Sequence, residues 1–89
     1  MGTWLARVFA FVNIFVDSGS TSSVIEELQR LPGLEELYEV AGEFDIVTIF
    51  SARDLGEFRD ILVNKITTIK GVRSTVTDIV LHSHRPRLA

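Results

Sequence analysis

The first residue with chemistry to offer is Asp45, planted at the head of the apolar run Ile46-Val47-Thr48-Ile49-Phe50. Aspartate is depleted in strands, so a carboxylate there needs either a solvent-facing position or a task. Gly42 lies three residues before it and Phe44 one residue before it. Glycine lets a ligand approach the backbone, and a carboxylate beside a turn can hold an ammonium group through a charge-assisted hydrogen bond. From spacing alone, a solvated turn aspartate is the plainer reading.

Thr75 and Thr77 are two apart in the run VRSTVTDIVL and share one face of a strand, with Ser74 and Asp78 on the other. A central strand carrying two hydroxyls on one face can bind a carboxylate or a water; as β-branched residues they also simply fill a sheet. His82-Ser83-His84 has the look of a two-histidine metal pair on an extended chain. Only Asp78 stands near as a third ligand, so no metal site is expected. The chain holds no phosphate-cradling glycine loop, no H-E-x-x-H and no supported Ser/His/Asp arrangement, and no cofactor is expected. Glu26-Glu27 and Glu35-Glu36 read as solvated surface, and Trp4 and Tyr38 as packing or interface aromatics.

These residues sit in a chain of 89 residues, one small domain whose core is marginal alone and gains from oligomerisation. Without cysteine there is neither a disulfide nor a thiolate metal site, which fits a reducing, cytoplasmic setting. The net charge is −3 and the nine Lys and Arg are scattered, so no basic stripe awaits a phosphate backbone and direct nucleic-acid binding is not expected. The apolar run at residues 8–16 has the length of a signal-peptide core. It is too short to cross a bilayer, is interrupted by Asn13, and is the best strand in the chain, so no membrane association is expected.

The elements that must position the candidates follow from periodicity. Residues 5–16 form a strand apolar in both alternating sets, Val8, Ala10, Val12, Ile14 and Val16 on one side, Phe9, Phe11 and Phe15 with Asn13 on the other. A polar Gly/Ser turn leads to a helix with Val24, Ile25, Leu28 and Leu31 at helical spacing, Ser23 and Glu26 at capping-box spacing, and Pro32-Gly33 as its stop. Residues 34–41 are a more polar strand. Gly42 and Glu43 alone then separate it from a third strand at residues 44–50, a tight hairpin. Asp54 and Glu57 cap a second helix with the stripe Leu55, Phe58, Ile61, Leu62, Ile66 and Ile69. Lys70-Gly71 ends it, residues 72–81 are the fourth strand, and residues 82–89 are a short basic tail.

The two halves repeat one pattern, strand, helix, Gly terminator, strand, which gives the order βαββαβ. That order is the α+β ferredoxin-like sandwich, one antiparallel sheet with both helices on one face. The other face is then bare and apolar, and a second copy packing sheet to sheet would cover it.

Gly42-Glu43-Phe44-Asp45, followed by Asn64-Lys65-Ile66 and the run Ile69-Lys70-Gly71-Val72-Arg73-Ser74-Thr75-Val76-Thr77-Asp78-Ile79-Val80-Leu81, resembles the effector-binding (RAM) domain of the Lrp/AsnC regulators. The resemblance spans residues 5–81, so that 1–89 is one ligand-binding domain with its tail. It implies a dimeric α/β barrel made by face-to-face sheet packing. It also implies assembly of dimers into tetramers to octamers, and small amino-acid-like effectors bound between dimers. Carried onto this chain, it places Gly42, Phe44 and Asp45 with Thr75 and Thr77 at the ligand. Full-length relatives carry a helix-turn-helix domain before this one. Here the chain begins almost at the first strand, so the resemblance implies a stand-alone, non-enzymatic module of transcriptional or metabolic regulation that senses a metabolite or joins a full-length relative. Two other readings stay open: a small monooxygenase- or isomerase-type enzyme on the same dimeric scaffold, and a pure assembly module.

Overall fold

The computed structural model describes residues 7–85. Four strands and two helices follow in the order β1 (Val8–Val16), α1 (Thr21–Leu28), β2 (Leu34–Glu39), β3 (Ile46–Ala52), α2 (Leu55–Ile61) and β4 (Val72–Ile79). A π-helical turn, Leu62–Ile66, continues α2. The strands form one antiparallel sheet in the order β2-β3-β1-β4, the ferredoxin-like arrangement. The expected first strand reaches back to residue 5, and residues 5 and 6 lie outside the described residues.

Both sets of β1 side chains are apolar, and packing decides between them. Ala10, Val12, Ile14 and Val16 are buried beneath the helices, joined by Ile46, Phe50 and Ala52 of β3, Val24 and Leu28 of α1, Phe58 and Ile61 of α2, and Ile66. The compact β-branched set fits under two helices, while the phenylalanines take the open face. Phe9 and Phe11 are each 39% exposed there, beside Tyr38 at 45% and Val76 at 45%.

The helix boundaries follow local chemistry. Asp54 Oδ1 accepts from Glu57 N at 2.8 Å, and Glu57 Oε1 accepts from Arg53 N at 2.6 Å, so this capping pair forms as expected. The pair expected at Ser23 and Glu26 does not form. α1 starts earlier, at Thr21, and Ser23 Oγ instead donates to Ser20 O at 3.1 Å inside the first turn. Leu55, expected in the buried stripe, is 57% exposed, because it sits in the first turn of α2, where the helix enters from the sheet rim.

After α1, Gly33 has φ 85°, and a Cβ there would lie 2.4 Å from Ser51 O. Only glycine lets the chain pass that close to β3. Gly71, with φ 103°, repeats the device before β4, where a Cβ would meet Ser20 Cβ at 2.7 Å.

Two expectations about the strands are corrected. β2 ends at Glu39 and β3 begins at Ile46, so residues 40–45 form a loop rather than a two-residue hairpin turn. Gly42 has no positive φ. β4 is an edge strand rather than a central one, because β1 pairs with β3 on its other side.

Candidate functional site

The site begins with the way β1 and β3 part. Their ladder runs down to Ile14 opposite Ile46, and Asp45 N donates to Ile14 O at 3.0 Å. The next rung would join Val16 N to a backbone carbonyl. Instead Val16 N donates to Asp45 Oδ2 at 2.9 Å, so the carboxylate takes the carbonyl's place and the chain is free to turn away. Val40 N donates to Asp45 O at 3.0 Å and closes the base of the loop. This is the task that an aspartate at the head of a strand performs: it satisfies a backbone donor that would otherwise lack an acceptor.

Around that bond lies a small aromatic cluster. The Phe44 ring meets the Phe15 ring at 5.0 Å between centroids, tilted by 52°. The Arg73 guanidinium stands 5.7 Å from the Phe15 centroid, within cation–π range. Arg73 is brought there by a bulge: β1 and β4 pair Phe15 with Ser74 and Val16 with Val72, leaving Arg73 as the extra residue. Nothing local in the sequence singles out Phe15 and Arg73 as neighbours of this loop. The signal for Arg73 was a cation at the start of a strand, which is not distinctive by itself.

Gly42 is exposed at the tip of this loop, and nothing lies within 4 Å of where its Cβ would be. The backbone there is open to an approaching group. Thr75 and Thr77 are half-buried, opposite Ile14 and Val12 of β1, and therefore on the helix-covered face. Ser74 and Asp78 lie on the open face opposite Phe15 and Phe11, the division the sequence implied. Thr75 and Ile46 flank Ile14 from opposite sides, two strand spacings or about 10 Å apart. One chain thus carries the loop residues and the threonines to the same end of the sheet without closing a single pocket around them.

Two surface clefts of about 640 and 650 Å³ lie elsewhere. One runs between α1 and the π-helical turn, past Ser20, Glu27, Lys65 and Lys70; the other lies beside α2, past Arg7, Ser51, Arg53 and Asp60. Neither holds Gly42, Phe44, Asp45, Thr75 or Thr77. Among the described residues no group of three His, Cys, Asp or Glu is placed to hold a metal ion. The His82 and His84 rings pack on each other, 4.5 Å between centroids. No helix among the described residues is long and apolar enough to cross a membrane.

On the open face the one buried polar side chain of β1 is Asn13, whose Nδ2 donates to Val76 O at 3.3 Å and reaches Asp78 Oδ2 at 3.5 Å. At the opposite end of the sheet Ser51 Oγ donates to Glu35 Oε2 at 2.6 Å and accepts from Arg7 Nη2 at 2.9 Å.

Comparison with known proteins identifies the class. Residues 9–89 match the model of the Lrp/AsnC ligand binding domain, and the chain belongs to that family. It is 36% identical over 74 residues to an uncharacterized HTH-type transcriptional regulator of Pyrococcus abyssi, covering 83% of this chain and 47% of the regulator. The structure of Escherichia coli AsnC superposes with a TM-score of 0.86 at 31% identity, over 90% of this chain and 54% of that one. A homocitrate synthase of Sulfurisphaera tokodaii is 39% identical over 61 residues, 68% of this chain but 13% of the enzyme. The chain therefore spans about half of its regulator relatives and a small part of the synthase.

Proposed function

We propose that this chain is a non-enzymatic effector-binding and assembly module of transcriptional or metabolic regulation, working in the cytoplasm without contacting DNA itself. Two copies pack sheet to sheet through Phe9, Phe11, Ile49, Tyr38 and Val76. Pairs of dimers then meet at the rim marked by Gly42 and Asp45 and hold an amino-acid-like ligand between them. The observation that carries this reading is the placement of Asp45. Its Oδ2 is engaged by Val16 N, and it stands beside open space at Gly42, at the edge of an uncovered apolar face.

In this reading Asp45 Oδ1 accepts from the ligand ammonium, and backbone N–H groups near Gly42 receive its carboxylate together with Thr75 and Thr77. Phe44 bounds the ligand's side chain. The loop end and Thr75 stand about 10 Å apart, backbone to backbone, across the sheet. In this reading the two halves of the site come from different chains, and the ligand favours association because only the assembly supplies both. Calorimetry with each of the twenty amino acids tests this: one or a few bind, and Asp45→Asn removes the heat. No heat with any of them refutes it.

A second reading is favoured by the similarity to the homocitrate synthase, in which a module like this one accompanies an enzyme. There the effector reports to a catalytic partner rather than to a DNA-binding relative. Pull-down of a helix-turn-helix relative by the tagged chain supports the first reading; recovery of an enzyme instead supports the second.

A further inference from the structure

Three arginines have polar partners: Arg7 is bonded to Ser51, Arg30 to Glu27, and Arg53 lies 3.7 Å from Glu57. Arg73 differs. It is exposed, has no hydrogen bond or ion pair among the described residues, and touches the face of Phe15 instead, 5.7 Å from the ring centroid. The carboxylates on the neighbouring segments, those of Asp17, Glu43 and Asp45, form no ion pair with it. A cation–π contact occupies the face of a ring and leaves the guanidinium N–H groups free to donate. Five such donors in a planar fork, with nothing to receive them, suit a carboxylate. The bulge that sets Val16 against Val72 and Phe15 against Ser74 brings Arg73 to that ring. The Phe15 ring meets Phe44 at 5.0 Å, and Phe44 adjoins Asp45, whose Oδ2 is held by Val16 N. Asp45 and Arg73 thus lie on the two sides of the end of β1, two strand spacings or about 10 Å apart between backbones, with the two rings linking one charge to the other.

We infer that Arg73 selects the effector by its side chain, receiving a second acidic group, so that the ligand is an acidic amino acid of the aspartate and glutamate kind rather than a neutral or basic one. The inference rests on the effector reading proposed above and adds the class of ligand to it. In that reading Asp45 takes the ammonium, the backbone near Gly42 and the threonines take the α-carboxylate, and Phe44 bounds the side chain. A ligand side chain lying along Phe44 runs on to Phe15 and ends at the guanidinium, and the long arginine side chain spans the remaining distance. A carboxylate there gives the free N–H donors a charge-assisted partner. An apolar side chain would cover those donors without answering them, and a basic one would set like charges together. The two acidic groups of the loop do not cancel this preference. The charge of Asp45 is matched by the ligand ammonium, and Glu43 is exposed, where water and salt screen it.

Calorimetry tests this with glutamate, glutamine, aspartate, asparagine and lysine, since each acid and its amide match in size and differ in charge. The unaltered chain is expected to bind one of the acids roughly tenfold or more tighter than its amide, the difference shrinking as salt rises. Arg73→Gln keeps a long polar side chain without the charge; it removes the difference and leaves the amide's affinity level. Arg73→Lys keeps a preference for the acid, and Arg73→Glu turns it toward lysine. Because Arg73 is exposed, the far-ultraviolet circular dichroism of all three variants is expected to match that of the unaltered chain. An unaltered chain that binds any neutral or basic amino acid as tightly as the acids overturns the inference and leaves the effector reading standing. Equal loss for acid and amide in Arg73→Gln also overturns it, since that result sets Arg73 on the carboxylate common to all amino acids. Silence with all twenty amino acids refutes the effector reading and the inference together.

Discussion

Asp45 is assigned two tasks, and two substitutions separate them. Its Oδ2 accepts from the backbone N–H of buried Val16 at 2.9 Å, a charge-assisted bond where β1 leaves β3. Asp45→Ala leaves that donor without its acceptor, at a cost of about 1.5–3 kcal/mol for a bond to a charged group. For a domain of this size about 1 kcal/mol corresponds to a Tm change of roughly 4–8 °C, so the midpoint falls by about 6 °C or more. Asp45→Asn keeps an oxygen for Val16 N and loses only the charge component, so its midpoint falls by less, roughly half as far. Effector binding orders the variants differently. The ammonium needs a carboxylate, so Asp45→Asn loses affinity about as completely as Asp45→Ala. Thermal unfolding followed by circular dichroism, beside calorimetry on the same samples, gives both orders. An Asp45→Ala protein as stable as the unaltered chain refutes the structural role, and an Asp45→Asn protein that binds undiminished refutes the ligand role.

Phe11→Lys is expected to weaken sheet-to-sheet dimerisation by at least about 2 kcal/mol, roughly thirtyfold in Kd, and to leave the far-ultraviolet spectrum unchanged; sedimentation against concentration reads both. Gly33→Ala should cost more than about 2 kcal/mol, since it combines a left-handed backbone with a Cβ at 2.4 Å from Ser51 O. Gly42→Ala, with open space and no positive φ, should leave stability level or raise it by up to about 1 kcal/mol in denaturant titration while lowering effector affinity. Asp54→Ala removes the cap on α2 and should lower stability by about 0.5–2 kcal/mol in the same titration.

The order of elements was legible because each one carries its own local signal. The Asp54 and Glu57 pair, the stops at Gly33 and Gly71, and the helical spacing of Phe58 and Ile61 depend on near neighbours alone. What failed depended on distant ones. Two apolar sets on β1 look alike in sequence, and only the volume available under the helices assigns Val12 and Ile14 inward and Phe9 and Phe11 outward. The place of β4 at the edge is fixed by long-range pairing, although its exposed Arg73, Ser74 and Asp78 suited an edge. The loop at residues 40–45 resembles a tight turn in sequence because nothing local announces that the Asp45 carboxylate takes the place of a ladder carbonyl opposite Val16 of β1. The same blindness hid the cluster in which Phe15 meets Phe44 and Arg73 stands over Phe15, which the pairing of strands assembles.

The central claim is that the effector sits between dimers, shared by Asp45 and Gly42 on one side and Thr75 and Thr77 on the other. Native mass spectrometry with a binding amino acid counts ligands on each assembly directly. Ligand retained on assemblies of four or more chains, and absent from the dimer and the monomer, is the result this account predicts. Ligand held with equal affinity by an isolated dimer or monomer would contradict it.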